Sequence, residues 1–203
     1  MIKTVDLEAI SIIENGFRHY GADQYWFKNK LHGMSGCGPT TAALITMYMA
    51  VTFPQCAALY PYGQPVKKDD FVQHMTEVRE YVKPGAMGLT DATYFAQSTA
   101  EFAETKGVEL KFEILSRSIS HIEAFNRIKQ AIDIRLLPAL LILRNPVKEL
   151  DDFTWHWMAV TGYDDGEELI FVSTYSKEYE LNFESVWIQY KPYEADIVIF
   201  YPQ

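Results

Sequence analysis

Gly36-Cys37-Gly38-Pro39-Thr40-Thr41-Ala42-Ala43-Leu44-Ile45 sets a cysteine between two glycines, then a proline, then an apolar run that continues to Phe53 broken only by Thr46 and Thr52. Proline suits the opening positions of a helix, where a missing N–H costs nothing, and Ala42 to Met49 are good or tolerable helix formers. The stretch therefore predicts a buried helix with Cys37 at or beside its start. Free backbone N–H groups and the positive end of the helix dipole favour a thiolate there, and the same N–H groups suit an oxyanion. Gly36 and Gly38 carry no side chain to block a substrate backbone. The competing reading is packing, since cysteine is among the most buried residue types.

Working outward, the second informative stretch is Trp155-His156-Trp157-Met158-Ala159-Val160-Thr161-Gly162-Tyr163-Asp164-Asp165-Gly166. A histidine between tryptophans opens a strand, and the Asp-Asp-Gly turn returns the chain into Leu169 to Ser173. Held on a rigid strand and partly desolvated, His156 suits a base that takes a proton from a thiol. Cysteine on an early helix and histidine on a late strand is also the order found in papain-type enzymes.

These two blocks resemble the signatures of the bacteriocin-leader-processing cysteine peptidases, peptidase family 39, and of their stand-alone soluble members. The resemblance runs from about residue 20 to 190. It implies an α+β, papain-like fold in one domain, 1–203, with a helical lobe over about 1–107 and a sheet lobe over about 108–203. It implies Cys37 as nucleophile, His156 as general base and acid, and a peptide or protein substrate. Family members carry an upstream glutamine that helps bind the oxyanion. Gln24 is the only upstream glutamine here, with Asn29 as the alternative, and the Cys37 N–H would be the other donor.

The chain departs from the family at the third catalytic position. Where relatives have an aspartate, this register gives Ser173-Thr174-Tyr175-Ser176, with Thr174 closest. A hydroxyl orients an imidazole but adds no negative charge to stabilise its protonated form. Three readings follow: a Cys–His dyad with a hydroxyl helper, a weak enzyme, or a fold kept to bind peptides without turnover. Asp164 and Asp165 read as turn residues. Metal binding by Cys37, His32 and His156 is disfavoured because no compact ligand spacing is present, and no cofactor is expected.

At 203 residues with 48% hydrophobic and 22% charged residues the chain has the composition of a globular domain. A net charge of −9 offers no basic patch for nucleic acid or anionic lipid. The amino terminus lacks the apolar core of a signal peptide, and no run is long enough to span a bilayer. The expectation is a cytoplasmic protein without membrane insertion. Two cysteines make no disulfide framework, and Cys56 reads as structural.

Between the blocks, a helix starting at Asp69 or Asp70 and stopped by Pro84-Gly85 turns Phe71, Met75, Val78 and Val82 inward. Another runs from Thr90 or Asp91 to Lys106, closed by Gly107. Val108 to Ile114 alternates as a half-buried strand. Ser120-His121-Ile122-Glu123 reads as a capping box that leaves His121 in solvent, ahead of a helix burying Ile122, Phe125, Ile128 and Ile132. Leu136 to Leu143 reads as a central strand. Leu7 to Ile13 fits a short helix or a strand, and Asp23 to Asn29 is expected at the surface near Cys37.

Overall fold

A computed structural model describes residues 1–85 and 88–203. The chain begins with β1 (Ile2–Thr4), β2 (Ser11–Glu14) and β3 (Phe17–Tyr20). The helices α1 (Lys30–Met34), α2 (Cys37–Thr52), α3 (Lys68–Arg79) and α4 (Ala92–Thr105) follow. The second half runs β4 (Leu110–Leu115), α5 (His121–Asp133), β5 (Ala139–Arg144), β6 (His156–Asp164), β7 (Leu169–Thr174), β8 (Lys177–Asn182), α6 (Phe183–Val186) and β9 (Glu194–Pro202). The fold is α+β.

The main sheet has the order β4-β9-β5-β6-β7-β8, and every pairing in it is antiparallel. β1, although it comes from the helix-rich first half, also pairs with β6. β6 is the axis of the sheet. β5 pairs with its first residues, His156 to Ala159, β1 with Gly162 to Asp164, and β7 covers the other edge. All of β6 except Asp164 is buried.

Against this sheet lies α2, whose residues from Cys37 to Met49 are all buried. A helix apolar on every side is stable only inside a core. Each fully buried Leu, Ile or Met side chain there contributes about 1.5–3 kcal/mol. Thr46 fits because its hydroxyl donates back to the Ala42 carbonyl at 2.9 Å.

All five patterned segments form, though the central strand read over Leu136 to Leu143 begins only at Ala139 and runs to Arg144. Asp91 caps α4 by accepting from Thr93 and Tyr94, and Gly107 takes φ +74° behind its end. Phe71, Met75, Val78 and Val82 are all buried. α3 nevertheless ends at Arg79, well before Pro84-Gly85, and runs into a turn in which the Tyr81 N–H donates to the Val78 carbonyl at 3.1 Å.

Three positions differ. Ile122 is 70% exposed, while Phe125, Ile128 and Ile132 are buried. Phe112 is 37% exposed, in the wall of a groove between α4 and the edge strand β4. His121 does not stand in solvent: its ring stacks on Phe183 at 5.3 Å, with its edge towards Glu168 at 3.9 Å. Ser120 does cap the helix through the Glu123 N–H. Cys56 is fully buried in a 3₁₀ turn over Pro54–Leu59.

Candidate active site

Cys37 is the first residue of α2, with Gly36 as its N-cap. The glycines serve packing. A Cβ on Gly36 would lie 2.6 Å from the His32 carbonyl oxygen and 2.9 Å from the Phe27 ring, and one on Gly38 would lie 2.9 Å from Leu89. The space expected for a substrate backbone is filled by the protein itself. The glycines instead let the start of α2 sit tightly against α1 and Leu89.

The backbone N–H groups of Trp157, Gly38 and Cys37 face the sulfur and favour a thiolate. Burial outweighs them: Cys37 is 7% exposed, and desolvation pushes the thiol above its ordinary value. The acidity expected from the helix start is therefore reversed in this state, and the sulfur is a neutral thiol.

His156 opens β6, one residue before the Trp157 N–H that faces the sulfur, so the two distant segments meet. No hydrogen bond joins sulfur to ring among the described residues. The imidazole is 4% exposed, and burial pulls its pKa down to about 4. Its Nε2 lies 2.6 Å from the Thr174 Oγ1, a short and buried hydrogen bond. With the proton on Nε2 donated to Thr174, Nδ1 is bare and able to accept one.

Tyr175 is the residue that sequence reasoning missed. Its ring stacks on His156 with centroids 4.7 Å apart and planes 12° from parallel, and Tyr25 stacks on its outer face at 6.3 Å. The Tyr175 hydroxyl is 3.4 Å from the imidazole Nδ1. Between near-parallel rings that distance is a stacking separation, so the in-plane lone pair of Nδ1 stays available. Burial, with the nearby Tyr25 and Cys37, raises the phenol to about 12 and keeps it neutral.

The turn that carries Tyr175 is strained. Tyr175 and Ser176 form the two-residue link between β7 and β8 and both have positive φ, 50° and 56°. Such turns favour glycine and asparagine, and an ordinary side chain there costs on the order of 1–3 kcal/mol. The Ser176 N–H donates to the Ala22 carbonyl at 2.8 Å and the Tyr20 N–H donates to Ser176 at 3.1 Å, pinning the turn over the histidine. Trp155, next to His156, has φ 56° as well.

Gln24 and Asn29 separate cleanly. Asn29 caps α1, its oxygen accepting from the Leu31 N–H at 2.9 Å. Gln24 is 7% exposed and shares with Cys37, Thr40, Trp157 and Thr174 the wall of a cavity of about 10 Å³. Its Nε2 donates to the Gly33 carbonyl at 2.7 Å, while its Oε1 and the Thr40 hydroxyl are buried without partners. Tyr25 beside it is exposed and Phe27 buried, so the Asp23–Asn29 stretch is only partly at the surface.

Cys37, Thr174 and Gln24 thus share one cavity wall, and His156 is tied to it through Thr174. No family model matches the chain, and neither does any curated protein. His32 lines a groove that Cys37 also borders, and no group of three or more His, Cys, Asp or Glu among the described residues is arranged to hold a metal ion. No helix among the described residues is long and apolar enough to cross a membrane.

Tyr175→Ala is expected to move the His156 pKa from about 4 towards the ordinary 6.5 by admitting water to the ring. An NMR titration of the imidazole reads it. An unchanged midpoint would assign the burial to the strand and not to the tyrosine.

Proposed function

We propose that this chain is a papain-like cysteine hydrolase acting on peptide or amide bonds through an acyl-thioester on Cys37. The observation that carries the reading is the 2.6 Å bond from His156 Nε2 to Thr174, a residue that shares the wall of one small cavity with Cys37 and Gln24. It fixes the imidazole so that its bare nitrogen serves as base.

The site starts from a neutral pair. His156 takes the thiol proton as sulfur attacks the carbonyl carbon, and the oxyanion is met by the Cys37 N–H and the second N–H of the Gln24 amide. The imidazolium then passes its proton to the departing amine, and a water activated by the same nitrogen opens the thioester. Thr174 orients the ring throughout but adds no charge, so the imidazolium is less stabilised than beside a carboxylate.

That same missing charge favours a second reading, a peptide-binding module that keeps the pair without turnover. The two separate on pooled fluorogenic peptide amides followed by mass spectrometry. Hydrolysis predicts amine release and an acyl adduct on Cys37, both lost in Cys37→Ala. Amine release that survives Cys37→Ala, or binding that never yields product, rejects it.

A further inference from the structure

Cys37 also borders a groove of about 540 Å³, walled by Leu31, Met34, Arg79 and Trp155. Leu31 and Met34 are 72% and 76% exposed. Trp155 also walls a second concavity of about 400 Å³, which holds Arg144, Lys191 and the Arg117–Glu194 pair. The two grooves therefore meet at one indole, and the Arg144 guanidinium lies 5.4 Å over that ring.

The charges in these walls are unbalanced. Arg79 has no carboxylate within ion-pair reach among the described residues, and its Nη1 is buried with no hydrogen-bond partner. Its guanidinium instead rests 5.6 Å over the Phe27 ring. Arg144 and Lys191 likewise pair with no acid among the described residues. A partly desolvated guanidinium without a partner is costly, and a carboxylate offsets that cost through paired, charge-assisted hydrogen bonds. In a chain of net charge −9, the cationic walls beside the nucleophile stand against the overall field.

We propose that the joined grooves bind an extended peptide whose acidic side chains pair with Arg79 on the Cys37 side of Trp155 and with Arg144 and Lys191 beyond it. Aliphatic side chains of the same segment rest on Leu31 and Met34. This substrate class rests on Cys37 being the nucleophile. Because Arg79 lines one groove and Arg144 and Lys191 the other, one chain end does not serve them all, and the carboxylates come from side chains.

The first test compares alkylation of Cys37 by iodoacetate and by iodoacetamide, which differ in one carboxylate. The ratio of the two rates is expected to exceed that for glutathione by about tenfold, and to fall to the glutathione value in Arg79→Met. In molar salt the unaltered chain should lose the same preference, which serves if the variant does not fold. Equal ratios in protein and glutathione overturn the carboxylate site while leaving the nucleophile standing. A Cys37 inert to both reagents removes the nucleophile and this proposal with it.

The second test measures binding to Cys37→Ala of a short Ala–Glu peptide capped at both ends, against an Ala–Gln peptide of the same length with a free carboxyl terminus. About tenfold tighter binding of the Ala–Glu peptide supports side-chain recognition. Equal binding, no binding, or preference for the free terminus overturns it.

Discussion

Replacing His156 with alanine is expected to slow reaction of Cys37 with iodoacetamide near neutral pH by about 10²- to 10⁴-fold, the usual contribution of a positioned base. The reason is electrostatic. Burial holds the Cys37 thiol above its ordinary value, so few thiolates exist unless a neighbour takes the proton. His156 is the base at hand, neutral down to about pH 4, its Nε2 committed to Thr174. Cys56 supplies the internal reference: it is fully buried, and desolvation also raises its thiol. Its rate should be slow and indifferent to His156→Ala. Thr174→Val should give a smaller loss, about five- to tenfold, since it removes one hydrogen bond worth about 1 kcal/mol. Thr174→Asp should raise the His156 pKa by about 1–3 units by adding the missing charge. Cys37 that reacts as fast without His156 as with it would end the case for a base.

Lowering the pH from 7 to 4 is expected to withdraw on the order of 5 kcal/mol of stability through two buried histidines. Asp196 offsets this in part, because burial raises its carboxyl to about 6 and it takes up its proton more readily folded than unfolded. His74 on α3 is fully buried and burial pulls its pKa down to about 3. Its Nε2 lies 3.2 Å from the Ala43 carbonyl, an obligate acceptor, and 3.0 Å from Thr46 Oγ1, so Nε2 carries the proton. That leaves Nδ1 bare and without a partner, among the rings of Tyr60, Phe71 and Phe102. A proton added there would create a charge that nothing answers. Both folded-state values, about 3 for His74 and about 4 for His156, lie below the ordinary 6.5. Between those limits the unfolded chain binds more protons than the folded one, so stability is full above pH 6.5 and falls as the pH drops towards 4 and 3. Each pH unit across that window costs about 1.4 kcal/mol per histidine. Urea midpoints from pH 7 to 4 measure it, and His74→Gln should flatten part of the slope. A midpoint constant over that range would mean that the rings relax and let water reach the protonated forms.

Much of this molecule is legible in the order of its residues. The glycine-framed cysteine and the unbroken apolar run specify a buried helix that starts at Cys37, and no other environment satisfies thirteen consecutive buried positions. Asp91, Gly107 and Ser120 mark their helix ends by hydrogen bonds or backbone angles that depend only on near neighbours. His156 at a strand start and Thr174 at the end of the next strand follow from hairpin register, which a turn fixes locally.

What fails to be legible is non-local. Ile122 and Phe112 fit apolar periodicities yet stand in solvent, because whether a face is covered depends on where a distant element ends. Tyr175 occupies a turn without glycine or asparagine and is held there by Ala22 and Tyr20, far away in the chain. His74 shares the inward face of α3 with Phe71, Met75 and Val78, but the carbonyl of Ala43 and the hydroxyl of Thr46 that hold its ring belong to another helix.

The sequence by itself determined the helix that carries Cys37, the strand that begins at His156 and the hydroxyl at position 174, since each rests on short-range hydrogen bonding and side-chain periodicity. Only the tertiary structure decided the ionisation of the pair. Local dipoles favour a thiolate, but desolvation is a sum over every element packed around the sulfur and the ring, and here that sum keeps both groups neutral.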